Sequence, residues 1–261
     1  MIRAAFFDID GTLVPFGHSE MPDDTRDALC RLHDSGIAVV LATGRREAHI
    51  SHATSTLAAP PDALVMANGQ ICKVGRDYVR IRAIDEYDVR AGLAFLAERR
   101  IYTMVGEFNR NISLNRKADC ERVRWDASEF LPPYDIGRIS KHPVIEVMPS
   151  IFEEDVEVQR ELMALMPNCQ AERWNEQGID IIARGGGKGV GVHAVARALG
   201  LSRDELVAFG DAQNDISMFE ACGTSVAMGN ASPECKAAAT FVTSRCDVGG
   251  IAQALEKLGL I

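Results

Sequence analysis

The sequence predicts an α/β protein: a doubly wound core built on a parallel sheet, with a smaller α/β unit inserted into it. Three observations carry this expectation. Apolar runs too short for helices alternate with helical patterns at both ends of the chain. Polar clusters stand immediately after three of those runs. The middle of the chain has more polar, alternating strands and reads as a unit of its own.

Taken in order, residues 2–9 form an apolar run ending in Asp8-Ile9-Asp10-Gly11-Thr12, a strand entering a turn. Residues 25–35 carry Ala28, Leu29 and Leu32 at helical spacing, with Gly36 placed to end the helix. A second strand, 37–42, leads into Thr43-Gly44-Arg45. Residues 47–57 read as a helix and 63–67 as a third strand, and 70–74 with 78–82 flank Gly75-Arg76-Asp77 as a hairpin. In the middle, 111–115, 144–148, 170–175 and 179–182 read as strands, and 86–100, 118–130 and 152–165 as helices. The strand–helix grammar then returns. Helix 190–199 is closed by Gly200, strand 206–209 precedes Gly210-Asp211, 225–228 and 240–242 repeat the strand signal, and 250–258 is a final helix. The core is therefore expected at residues 1–82 and 185–261, and the insertion at 83–184.

With 261 residues, 47% of them hydrophobic and 25% charged, the chain can bury a sizeable core. A net charge of -9 disfavours nonspecific binding to nucleic acid or to an anionic membrane, which needs basic surface. A local cation can still bring a phosphorylated ligand to one site. The seven cysteines show no CxxC spacing and read as reduced, inert thiols of a cytoplasmic protein, without the His/Cys cluster a zinc site needs. Residues 4–7 are too short for a signal peptide, and no run reaches the ~20 apolar residues of a membrane helix.

In an open parallel sheet, ligands bind beyond the carboxyl ends of the strands. Asp8 with Asp10, Thr43 with Gly44, and Asp211 with Asp215 all fall at such ends. Each cluster alone has a plain reading: Asp10-Gly11 as a turn, Thr43 or Asp211 as a helix cap, Asp215 on a solvated face. Their shared position favours a site. Two like charges ~4 Å apart cost ~4 kcal/mol at an effective dielectric of ~20, so converging carboxylates need a proton or a cation. Hard oxygen ligands with few imidazoles select Mg²⁺.

Residues 6–13, Phe-Phe-Asp-Ile-Asp-Gly-Thr-Leu, resemble the first motif of the haloacid dehalogenase-like superfamily. Leu41-Ala42-Thr43-Gly44-Arg45 resembles the second, Lys188-Gly189 the third, and residues 210–218 the fourth in the form GDxxNDxxM. That form, with the long insertion between the second and third motifs, resembles the Cof-like phosphatases. The resemblance implies a Rossmann-like core with an inserted cap domain that selects the leaving group. It implies hydrolysis of a small phosphorylated metabolite such as a sugar phosphate or phosphorylated cofactor. Asp8 would be the nucleophile forming an aspartyl-phosphate, and Asp10 the general acid/base. Mg²⁺ would be held by Asp8, Asp211 and the carbonyl of Asp10, with Asp215 as a direct or supporting ligand. Thr43, Gly44 and Asn214 would hold phosphoryl oxygens, and Lys188 would supply a point positive charge.

Three other functions compete. Phosphoryl transfer to a second substrate, as in related mutases, uses the same residues. A dinucleotide-binding oxidoreductase is suggested by Gly189-Val190-Gly191-Val192-His193-Ala194, a GxGxxA match that leaves Asp8, Asp10 and Thr43 unexplained. A noncatalytic phosphate-binding protein has no use for the Asp8/Asp10 pair. Residues 185–189 do not make a Walker A loop, because Gly189 follows Lys188 where Ser or Thr should stand. Arg45-Arg46, Arg99-Arg100 and Arg122/Arg124 read as solvated faces, His193 as a core or surface residue, and Trp125 and Trp174 as packing residues of the insertion.

Overall fold

Strand β1 (Ala4–Phe7) opens the chain in this computed structural model, with all of its side chains buried. The structure describes the chain apart from residues 51–53, 56, 58, 117–118, 121–135 and 177. Helix α1 (Asp23–Asp34) turns Thr25, Ala28, Leu29 and Leu32 inward at the helical period, and Asp23 and Asp24 sit in its first turn, where they complement the dipole. Strands β2 (Ala38–Ala42) and β3 (Ala63–Met66) run parallel to β1. Strands β4 (Ile71–Val74) and β5 (Asp77–Ile81) form the expected hairpin, antiparallel to β3.

The middle of the chain forms a compact unit, Arg82–Gly186. It contains helix α2 (Glu86–Glu98), strands β6 (Thr103–Glu107), β7 (Asn111–Ser113) and β8 (Val144–Pro149), helix α3 (Val156–Leu165), and strands β9 (Cys169–Asn175) and β10 (Gly178–Ala183). The Asp85 side chain accepts from the Tyr87 amide and starts α2. The five strands pair antiparallel in the order β7-β6-β8-β10-β9. Their alternation puts Val105, Ile112, Val147, Ile179 and Ile181 in one apolar cluster with Val89, Leu93, Leu96 and Leu162 of the helices.

The second compact unit joins Met1–Ile81 to Gly187–Ile261. Its later elements are α4 (Lys188–Leu199), β11 (Leu206–Gly210), α5 (Ile216–Ala221), β12 (Thr224–Ala227), α6 (Pro233–Ala238), β13 (Phe241–Val242) and α7 (Gly250–Lys257). They complete an eight-stranded sheet ordered β13-β12-β11-β1-β2-β3-β4-β5, parallel except at the β4–β5 end. Ala4, Phe6, Val40, Ala42, Val65 and Ala208 form one cluster with Val192 and Val195 of α4 and with Met218 and Phe219 of α5. Phe7 and Phe209, on neighbouring strands, stack at 4.6 Å. Helix α1 packs on β2 and on α7. This is the Rossmann-like α/β architecture the sequence predicts.

Some local expectations change. Where a helix is predicted over 47–57, the structure describes a 3₁₀ turn, Glu47–His49, and a helical Thr54 whose amide donates to the Ile50 carbonyl at 3.1 Å, with 51–53 and 56 outside the described residues. Glu47 is drawn to Lys73 at 2.7 Å and to the Tyr78 hydroxyl at 3.3 Å. Helix α3 begins at Val156 rather than at 152, because the Asp155 carboxylate accepts from the Phe152 amide at 2.9 Å and closes a turn ahead of it. Strand β6 and the short helices α5 and α6 have no counterpart in the sequence reading. Most of the predicted helix 118–130, Arg122, Arg124 and Trp125, and the side chain of Trp174, lie outside the described residues.

The turn after β3 is sterically closed. Gly69 has φ 82°, and a Cβ there would lie 2.2 Å from the Gly187 carbonyl oxygen. Gly69→Ala combines left-handed strain with overlap against backbone, and is expected to destabilise the chain by about 3 kcal/mol. The measurement is denaturant unfolding of the variant beside the parent; an unchanged midpoint would contradict this packing.

Candidate active site

The Asp8 amide continues the β1 ladder by donating to the Phe209 carbonyl at 3.0 Å, so the Asp8 side chain is set by the central strand pair. The chain then turns tightly, with the Val14 amide donating to the Ile9 carbonyl and the Gly11 amide to the Val14 carbonyl, both at 2.8 Å. Gly11 has φ 84°, and a Cβ on it would lie 2.2 Å from Asp211 Oδ2. Glycine at this position thus lets the end of β11 close onto the end of β1. The Thr12 hydroxyl donates to Asp211 Oδ1 at 3.3 Å.

Lys188, the first residue of α4, is almost wholly buried, and its ammonium lies between two carboxylates: 2.5 Å from Asp8 Oδ1 and 2.6 Å from Asp215 Oδ1. The other Asp215 oxygen accepts from the Asp211 and Ala212 amides at 2.9 and 3.0 Å. Asp8, Asp211 and Asp215 each offer an oxygen within 4.8 Å of the others. Burial pushes the Asp8 carboxyl up to about 7 despite the opposing pull of Lys188, with Asp215 and Asp10 adding to the rise. Burial, then Asp8 and Asp215, pushes Asp211 up to about 9. Burial works against the Lys188 ammonium, but Asp215 and Asp8 outweigh it and raise its pKa above the usual lysine range. Ionising all three carboxylates would leave two negative charges in excess beside the one ammonium. A divalent cation on oxygen ligands fits that balance and that donor set.

Asp10 is partly exposed and held by Arg45, whose Nε and Nη2 donate to its two oxygens at 2.7 Å each. This fork is a planar, bidentate charge-assisted pair. Of the Arg45-Arg46 pair read as a solvated face, Arg45 is exposed, as expected, with its guanidinium on Asp10, whereas the reading is corrected for Arg46, which is buried. Arg45 reaches Asp10 through the Thr43 turn, where the Thr43 hydroxyl accepts from the Arg45 amide at 3.0 Å. Asn214 donates from Nδ2 to Asn68 Oδ1 at 3.2 Å.

Direct hydrogen bonds thus join Asp8, Lys188, Asp211 and Asp215, with Asp10 linked through Arg45 to the turn carrying Thr43 and Gly44. Sequence reasoning missed Arg45 and Asn68. Asn68-Gly69 is a turn dipeptide directly after a core strand, the same signal that picked out the other clusters. The GxGxxA match lies inside helix α4, where a Cβ on Gly189 would meet the Ser217 carbonyl and one on Gly191 would meet Val65. Those glycines permit close helix packing. Burial pushes the Cys72 and Cys222 thiols up to about 12, which keeps them unreactive.

A parallel α/β core with buried carboxylates at its strand ends suits a hydrolase that acts on phosphate esters, and the comparisons with known proteins support that class. The chain belongs to the haloacid dehalogenase-like hydrolases, whose family model matches residues 5–255. It is similar to a structure solved in showing that a trigonal-bipyramidal intermediate is conserved in a phosphoryl-transfer superfamily, with a TM-score of 0.90, 31% identity and full coverage of both chains. It is also similar to the subclass IIB sugar phosphatase BT4131, with a TM-score of 0.87 and 30% identity over 99% of this chain and 100% of that one. The Bacillus subtilis protein YkrA, which carries the word phosphatase in its name, is 29% identical over 262 residues, 99% of this chain and 98% of YkrA. Among the described residues no helix is long and apolar enough to cross a membrane.

Proposed function

We propose that this chain is a Mg²⁺-dependent phosphatase that hydrolyses a small phosphomonoester through an aspartyl-phosphate on Asp8. The observation that carries the reading is the buried cluster of Asp8, Asp211 and Asp215 around Lys188, with the Arg45-held Asp10 on the same turn as Asp8. Bound Mg²⁺, held by Asp8, Asp211 and the carbonyl of Asp10 with Asp215 beside them, would neutralise the carboxylates and the transferring group. Lys188 engages Asp8 Oδ1, and on this reading the Asp8 carboxylate attacks phosphorus. As the new O–P bond forms, the bond to the leaving oxygen breaks, and Asp10 gives that oxygen its proton. Asp10 then takes a proton from water, the water oxygen attacks phosphorus, and the Asp8–phosphate bond breaks to release inorganic phosphate. Thr43, the Gly44 amide and Asn214 hold phosphoryl oxygens, and Lys188 offsets their charge. Arg45 keeps Asp10 in place between the two proton transfers. The inserted unit Arg82–Gly186 is assigned to selecting the leaving group, and a sugar phosphate or a phosphorylated cofactor is the class of substrate that a relative such as the sugar phosphatase supports.

The test is a screen of sugar phosphates, nucleotides, pyridoxal phosphate and flavin mononucleotide, with and without Mg²⁺. Phosphate release that needs Mg²⁺ and no acceptor supports the hydrolase. Release only in the presence of an acceptor assigns phosphotransfer instead.

Metal binding also has a thermodynamic signature. Asp8 and Asp211 have folded pKa values of about 7 and about 9, against 3.8 for an ordinary aspartate. Without a cation the folded chain keeps protons that the unfolded chain has released. The contribution of these two groups to stability therefore falls as pH rises, through about 7 for Asp8 and about 9 for Asp211. A cation displaces those protons, so the rise in Tm on adding Mg²⁺ is expected to be larger at about pH 8 than at about pH 5. Equal rises at both pH values would contradict a carboxylate metal site.

A further inference from the structure

Asn68 is completely buried in the turn after β3. It follows Ala67 at φ 48° and itself has φ 49°, two successive non-glycine residues in the left-handed region. Asn tolerates that region better than most residues, and here the conformation aims its polar groups at separate segments. The Asn68 amide donates to the Thr43 carbonyl at 3.1 Å, and its carbonyl accepts from the Gly187 amide, one residue before Lys188, at 2.9 Å. Its Oδ1 accepts from Asn214 Nδ2 at 3.2 Å. Asn214 Oδ1 is buried without a partner among the described residues, so the bond to Asn68 decides how the Asn214 amide points.

We propose that Asn68 is a positioning residue for the phosphoryl-binding groups: it orients the Asn214 amide and ties the Thr43 turn to the start of the Lys188 helix. The proposal rests on the phosphatase reading above. It explains why a strained turn is kept at the end of a strand that supplies no group to the chemistry. Thr43, Lys188 and Asn214 come from distant parts of the sequence, and Asn68 holds all three segments with its side chain, its N–H and its carbonyl.

Asn68→Gly separates the side chain from the backbone, because glycine enters the left-handed region freely. Losing one orienting hydrogen bond is expected to lower kcat/KM for a phosphomonoester about tenfold and to weaken inhibition by orthovanadate, a transition-state mimic, by a similar factor. A purely structural role would lower Tm and leave vanadate affinity in the surviving folded protein unchanged. Asn214→Ala probes the pair from its other side, and the double variant should be no worse than the worse single one. The proposal is overturned by Asn68→Gly with the parent's kcat/KM and vanadate affinity, or by a double variant whose loss is the product of the two single losses. A parent protein with no Asp8-dependent phosphate release would instead sink the phosphatase reading itself.

Discussion

Asp8→Asn is expected to abolish turnover while leaving a folded protein. The amide has the shape of the carboxylate and can still accept from the Lys188 ammonium, which lies 2.5 Å from Asp8 Oδ1. It has no anionic oxygen to attack phosphorus, and removing an enzyme's nucleophile costs on the order of 10⁶ in kcat. The fold should survive: burial, the largest effect on Asp8, opposes its charge and pushes the carboxyl up to about 7, so neutralising it gives up the attraction of Lys188 but removes the burial penalty and the repulsion with Asp215 and Asp10. Two measurements check this together. Steady-state phosphate release with Mg²⁺ should fall to background, and acid quenching with labelled substrate should trap phosphoprotein in the parent and none in the variant. Near-normal kcat in Asp8→Asn with Mg²⁺ would remove Asp8 from its role.

Asp10→Asn is expected to slow turnover by ~10²–10⁴-fold, the usual worth of a positioned general acid/base. The size of the loss should depend on the leaving group. An alkyl phosphate needs a proton on its departing oxygen, so both steps suffer. An activated aryl phosphate leaves without one, so Asp8 is still phosphorylated and the block moves to hydrolysis. A burst of aryl alcohol followed by a slow steady state is the expected trace. A variant that slows both classes equally, with no burst, would show that Asp10 does not handle these protons. The substituted side-chain amide would keep one oxygen for Arg45 in place of the two that each now receive a hydrogen bond at 2.7 Å, so this variant also tests how firmly the fork must hold.

Much of the core was legible because buried parallel strands are short, nearly continuous apolar runs: β1, β2 and β11 stop at Asp8, Thr43 and Asp211, and β3 stops one residue before the Asn68-Gly69 turn. Asp8, Asp10, Thr43, Asp211 and Asp215 could be read from their common place after such strands. Strand β6, with the sequence Thr-Met-Val-Gly-Glu, was not legible: its pattern is broken by glycine, and its place comes from pairing with β7 and β8. Helices α5 and α6, six residues each, are too short to show a helical period.

The site divides in the same way. By itself the sequence determined which residue types stand at the strand ends, since chain direction and apolar run length are local properties. It could not determine partners. Only the tertiary structure put Arg45 on Asp10 across 35 positions, Lys188 on Asp8 across 180, and Asn214 on Asn68 across 146. A charged side chain is equally at home in water or on a partner, and local sequence does not choose between them. Sheet order makes that choice, by bringing β1, β2, β3 and β11 side by side so that the buried charges of Asp8, Lys188 and Asp215 face one another.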